Sequence, residues 1–238
     1  MQIRLAVISN AGGSGKTTLS VHLAYELGLR GFQVALTPSW TSHTNNVTVC
    51  QGGMTLTQTA DELVLHKRGA YLLSDCLTDY PLEHDLIIFD CPATLGPLPL
   101  MALAAATHIA VPVQLEPKSI QGAAHLLEWY YHHCKHLRLK PQPEILGFVP
   151  NQYDAKRATH RQLLESLPAQ LEQMNIRTFP AIRDSAEFIN ASGQGLPLHI
   201  YRPLHPALGD FKEIVKHVAS LMPNKVTSTD SQKTKKKK

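Results

Sequence analysis

The chain is most informative where something is missing. Between Glu26 and Asp61 it has no carboxylate at all. Its four cysteines, Cys50, Cys76, Cys91 and Cys134, are scattered and form no Cys-x-x-Cys pair. A disulfide framework is therefore not expected, and Cys91, at a strand end, reads as a small packing residue. No apolar run approaches the roughly 20 residues that a membrane span requires. Met1 to Ile8 is too short and wrongly flanked to be a secretory leader, so the expected location is cytoplasmic. A basic excess is also missing from most of the chain. Five lysines among Ser231–Lys238 outweigh the formal net charge of +4, which leaves the remainder slightly acidic. Residues 1–222 read as one domain with a sizeable core, and 223–238 as a disordered lysine-rich tail.

What is present alternates in type. Ile3–Ile8, Phe32–Leu36, Leu86–Asp90, His108–Val113, Ile145–Val149 and Ile176–Phe179 are short apolar runs that predict buried strands. Lys16–Arg30, Pro97–Ala106, Ser119–His133, Ala158–Met174, Ser185–Asn190 and Pro206–Leu221 carry helical spacing, with Gly31 as a stop for the first and Pro168 as a possible break in the fourth. This order predicts an α/β fold: a mostly parallel sheet with helices on both faces.

The first strand runs into Ser9-Asn10-Ala11-Gly12-Gly13-Ser14-Gly15-Lys16-Thr17-Thr18. Gly12, Gly13 and Gly15 let a backbone wrap closely around phosphates. The loop amides and the start of the next helix then face the anion. Lys16 supplies charge to β- and γ-phosphates, Thr17 can ligate Mg²⁺, and Ser14 and Thr18 complete the cradle. Asp90, at the end of the most apolar strand, is the second candidate metal ligand and, with Lys16, a candidate catalytic residue.

Asn10 stands where a standard P-loop has glycine. Ala11-Gly12-Gly13-Ser14-Gly15-Lys16-Thr17-Thr18 instead resembles the deviant Walker motif of the ParA/MinD family, Lys-Gly-Gly-x-Gly-Lys-[Ser/Thr], at every fixed position but one. His84 to Gly96 is similar to that family's Walker B strand and the switch after it. The likeness continues through Ala102–Ala106, Val111–Gln114, Gly122–Leu127, Asn151–Asp154 and Ala191–Pro197. It covers about residues 2–221 and weakens around 37–80. The resemblance implies a P-loop NTPase fold of the ParA/MinD (SIMIBI) type, ATP with Mg²⁺, and ATPase activity. It also implies that Asn151 reads the adenine ring and that the loop after Phe179-Pro180 lines the same pocket.

Two departures qualify it. Ala11 replaces the signature lysine that reaches across an ATP-sandwiched dimer, an absence shared with the carboxysome-positioning branch, McdA. Lys156, Arg157 and, less directly, Lys118 are candidates to supply that charge. The acid that positions the attacking water in the family falls here on Pro38, within Thr37–His43, which predicts slow hydrolysis. By the same resemblance the chain would form a homodimer with ATP. The dimer would bind nucleoid DNA non-specifically through Arg202, Lys212 and Lys216, and respond to a small adaptor protein while positioning a cargo. A nucleotide-holding scaffold without turnover is the alternative. An iron–sulfur carrier of the same fold would need paired cysteines. A membrane anchor would need an amphipathic helix beyond Leu221, and none is there. His132 and His136, four residues apart, read as a wet helix end rather than a metal site.

Overall fold

The computed structural model describes residues 2–37, 46–50, 62–63 and 66–223. The segment carrying Pro38 and the lysine-rich tail from 224 onward lie outside the described residues. Six strands, β1 (Ile3–Val7), β2 (Val34–Thr37), β3 (Val47–Val49), β4 (Leu86–Asp90), β5 (His108–Gln114) and β6 (Glu144–Asn151), form one sheet in the order β3-β2-β4-β1-β5-β6. Every pairing is parallel.

The side chains of each strand go alternately to two separate cores, as the pleat requires. Leu5, Val7, Val34, Leu36, Leu86 and Ile88 face one side, packed against Leu19, Leu23 and Leu27 of α1 (Lys16–Leu29). Ala6, Ala35, Ile87, Phe89, Ile109 and Val111 face the other. There they meet α2 (Leu72–Asp79), α3 (Pro97–Ala105), α4 (Pro117–His136) and α5 (Ala158–Glu172). Burial on both faces is why these strands read as apolar runs rather than as alternation. Two short helices follow, α6 (Ala186–Gly193) and α7 (Leu198–Tyr201). The described chain closes with a 3₁₀ turn at Pro206–Phe211 and α8 (Lys212–Ser220), whose Ile214, Val215 and Val218 join the α1 side of the core.

Four expectations are corrected. Ile176–Phe179 is not a strand: only Thr178 bridges to Phe148. Pro168 sits inside α5 without splitting it, because Leu167 and Leu171 on either side are buried and hold the helix to the sheet. Pro206–Leu221 begins as a 3₁₀ turn, not as an α-helix. β3 and α2 were not foreseen.

Candidate functional site

Strand register assembles the site. β1 and β4 are paired so that Val7 lies beside Asp90, and β5 and β6 so that Gln114 lies beside Asn151. The carboxyl ends of four strands therefore surround the loop that leaves β1, where ligands bind in open α/β sheets.

The loop is held open by its neighbours. The Gln152 side-chain amide donates to the Gly13 carbonyl at 2.8 Å, and that of Gln114 reaches the same oxygen at 3.3 Å. Asn151 Nδ2 donates to the Ser14 carbonyl at 2.9 Å. With these carbonyls tied outward, the amides are left for an anion. Helix α1 reinforces this: its N-cap is Gly15, no side chain caps it, and its first turn holds no acid. The amides of its first turn are thus available together with the positive end of the helix dipole. Ser14 Oγ is fully enclosed with no hydrogen-bond partner among the described residues.

Two charged side chains complete this end. Lys16 is buried, and its Nζ donates to the Ala11 carbonyl at 2.9 Å. Burial pulls its pKa down, opposed by the charge of Asp90. Burial likewise pushes the Asp90 carboxyl up to about 6, against the Thr17 hydrogen bond and the Lys16 charge. The Thr17 hydroxyl donates to Asp90 Oδ2 at 2.6 Å, and Ser20 Oγ reaches Oδ1 at 3.5 Å. A carboxylate lifted this far in pKa favours a proton or a cation beside it. Its hydroxyl neighbour makes the pair a fit for a hard divalent ion. Burial pushes the Cys91 thiol up as well, in keeping with a packing role.

From the loop a cleft of about 570 Å³ extends past Thr18, Asn151 and Gln152 to a far wall made by Arg183–Ser185 and by Phe188, Ile189, Ser192 and Gly193 of α6. That volume is in the range of a small-ligand site. Most sequence candidates converge here: Gly13, Ser14, Gly15, Lys16, Thr17, Thr18 and Asn151 all line it. Gly12 lines a second hollow of about 520 Å³ on the loop's other side, with Ala11 and Lys118. Pro180 is exposed and stands outside the cleft; the chain enters the wall three residues later. Lys156 and Arg157 also stand outside it. Both are exposed on the β6–α5 loop, where the Lys156 amide donates to Asp154 Oδ1 and Arg157 Nε lies 3.7 Å from Asp154 Oδ2. Lys118, not these two, shares a surface with Ala11. Arg202 is paired with Glu187 at 2.8 Å, whereas Lys212 and Lys216 are exposed and have no ion pair among the described residues. The loop after Phe179-Pro180 does line the cleft, through Arg183–Ser185 rather than through Pro180 itself. Sequence reasoning missed Gln114, Gln152 and Ser20.

The chain is similar to known proteins in sequence and in fold. Residues 39–141 match the AAA domain family model AAA_31. The chromosome-partitioning ATPase Soj of Thermus thermophilus is 28% identical over 241 residues, covering 90% of this chain and 94% of Soj. Among solved structures, a variant of Cyanothece McdA in complex with ATP superposes with a TM-score of 0.79 at 19% identity, covering 95% of this chain and 99% of McdA. MinD of Pyrococcus furiosus superposes at 0.69 with 18% identity, covering 93% of this chain and all of MinD. A double-glycine loop on an uncapped helix, a strand-end aspartate beside it and likeness to Soj over most of both chains make this chain similar to the ParA/MinD P-loop ATPases, whose fold it shares.

Proposed function

We propose that this chain is an ATP-dependent nucleotide switch that works as a dimer on DNA and positions a cargo through an adaptor protein. The observation that carries the reading is the 2.6 Å hydroxyl–carboxylate pair of Thr17 and Asp90 beside the free amides of α1. Mg²⁺ would be held by Thr17 and Asp90 and would neutralise phosphate charge. The loop amides and Ser14 would bind the phosphates. Lys16 would leave the Ala11 carbonyl to reach the β- and γ-oxygens, which costs it one neutral hydrogen bond and gains charge-assisted ones. Pro92–Gly96, following Asp90, is the segment that a γ-phosphate would order.

Hydrolysis is expected to be slow, since no carboxylate occurs between Glu26 and Asp61 to orient water. That absence also favours a second reading, a scaffold that holds ATP without turning it over. The name of the Thermus relative, a chromosome-partitioning ATPase, supports a positioning role. The likeness to McdA makes a carboxysome one candidate cargo, beside a plasmid or chromosome origin. Lys212 and Lys216 are the exposed cations for non-specific DNA contact on a nucleoid-associated, cytoplasmic protein. Light scattering of the full chain with ATP–Mg²⁺ and with ADP–Mg²⁺ tests the switch: a dimer with ATP alone is expected, and one mass in both conditions refutes it. Turnover measured with and without DNA separates the two readings. A rate above background supports the switch, and none supports the scaffold.

A further inference from the structure

A third hollow, of about 540 Å³, lies at the opposite end of the sheet from the phosphate loop. It opens at the amino ends of β1, β5 and β6, and the first turn of α2, the end of α3 and the α4–β6 loop close its sides. Ala104, Ala105, Leu139, Pro141 and Pro143 give it apolar walls. Its charged lining is one-sided: Arg4, Arg138 and Lys140 stand against the single carboxylate of Glu144. None of these three cations has an ion pair among the described residues. Glu144 instead lies 3.9 Å from His108 Nε2. The excess is local, since the chain without its tail lysines is slightly acidic.

Arg4 is also oriented. Gln2 Nε2 donates to the carbonyls of Leu82 at 2.7 Å and His84 at 2.9 Å, which fixes the plane of its amide. Its Oε1 is thereby turned to accept from Arg4 Nε at 3.2 Å. That bond aims the guanidinium but leaves its charge uncompensated, and the two terminal nitrogens have no partner among the described residues. A lone surface cation is ordinarily just solvated. Here an aimed guanidinium, two further cations and apolar walls converge on one concavity. A guanidinium fork matches the oxygens of a phosphate with parallel hydrogen bonds. A phosphate monoester is close to a dianion at neutral pH, which suits three cations against one acid. The volume suits a small ligand held in a recess. We propose that this hollow binds a small organic phosphate monoester, its oxyanion on Arg4 and its carbon body against the alanine and proline walls. The site is distinct from the nucleotide cleft, because Arg4 and the phosphate loop lie toward opposite ends of β1.

Calorimetry on the full chain with phenyl phosphate as the probe tests it, the phosphate loop being filled with ADP–Mg²⁺. Saturable binding is expected, tighter than that of inorganic phosphate. The same affinity is expected in Lys16→Ala without nucleotide, which removes the charge of the phosphate loop. Arg4→Gln should weaken the probe roughly tenfold, through loss of charge-assisted hydrogen bonds. Lys140→Gln, at an exposed side chain, should weaken it about threefold. ATP–Mg²⁺ affinity should be unchanged in both. If Arg4→Gln also loses ATP, β1 has been disturbed and Lys140→Gln decides: unchanged probe affinity there overturns the proposal. So does a wild type that binds no phenyl phosphate, or binds it no more tightly than inorganic phosphate. Binding that disappears in Lys16→Ala would place the probe in the phosphate loop and overturn it as well. Displacement of the probe by a short duplex of unrelated sequence would assign these cations to a nucleic-acid face, with the same consequence.

Discussion

At the scale of single residues, Gly15 carries the tightest constraint. Its φ is +89°, in the region that L side chains avoid, and a Cβ built there would lie 1.7 Å from Asn151 Nδ2. Two separate penalties follow for Gly15→Ala. The backbone conformation alone costs about 1 kcal/mol. The overlap displaces Asn151 and breaks its hydrogen bond to the Ser14 carbonyl, which costs about 1 kcal/mol more. Urea denaturation should show the sum of these, and ATP binding should be lost because the loop carbonyls no longer point outward. Adding Asn151→Ala to Gly15→Ala should restore stability only in part. It removes the overlap and leaves the backbone strain. Full recovery would mean that the loop tolerates another backbone path. Asn151 thus braces the phosphate loop, a role separate from the base contact that family likeness implied for it.

At the scale of elements, His22 joins three pieces of the fold. Its Nδ1 donates to the Thr18 carbonyl at 2.7 Å, its Nε2 accepts from the Leu198 amide at 3.4 Å, and its ring stacks on Phe211 at 4.8 Å. Phe188 of α6 meets the ring edge-on at 5.3 Å. The phosphate-loop helix, the cleft wall and the C-terminal turn are therefore packed around one neutral imidazole. Burial holds its pKa down to about 3. The sign follows directly. Below the ordinary histidine value of about 6.5 the unfolded chain takes up a proton that the folded chain refuses. The stabilising contribution of His22 is complete above that pH and fades by up to about 1.4 kcal/mol per unit as the pH falls toward 3. His22→Gln should be less stable than wild type at pH 7.5, and the gap should narrow at pH 5.5. A gap that stays constant would show that the imidazole is charged in the fold. Apolar runs announced β1, β4, β5 and α1 because each is covered by its neighbours. β3 escaped notice because it is three residues long and only partly buried. Ile176–Phe179 had strand composition, but there only Arg177 and Phe179 bond to Phe148, and the chain next meets the end of β6 past Pro180, at Ile182 and Asp184. The contiguous phosphate loop could be read directly. Gln114 and Gln152 could not, because only the sheet order brings the ends of β5 and β6 beside it. Arg183 pairs with Asp210, 27 residues later.

At the scale of the whole molecule, charge distribution decides how DNA could be bound. With the tail lysines set aside the chain is slightly acidic, so a general cationic field cannot hold a phosphate backbone. Any non-specific contact has to come from local exposed cations. Of the three sequence candidates Arg202 is paired with Glu187, which leaves Lys212 and Lys216, one turn apart on the outer face of α8, without an ion pair among the described residues. Each phosphate neutralised releases condensed counterions, and the slope of log affinity against log salt changes by about 0.9 per contact. Lys212→Gln combined with Lys216→Gln should therefore weaken binding to duplexes of unrelated sequence equally and flatten that slope by about 2. Removing Ser231–Lys238 from the wild type should flatten it independently if the tail also touches DNA. The double variant is informative because α8 packs through Ile214, Val215 and Val218 on its opposite face, so replacing the two lysines leaves that packing in place. A lost affinity with an unchanged slope would mean that the helix had shifted rather than that two phosphates had been released. An unchanged affinity would place the DNA contact outside this face altogether.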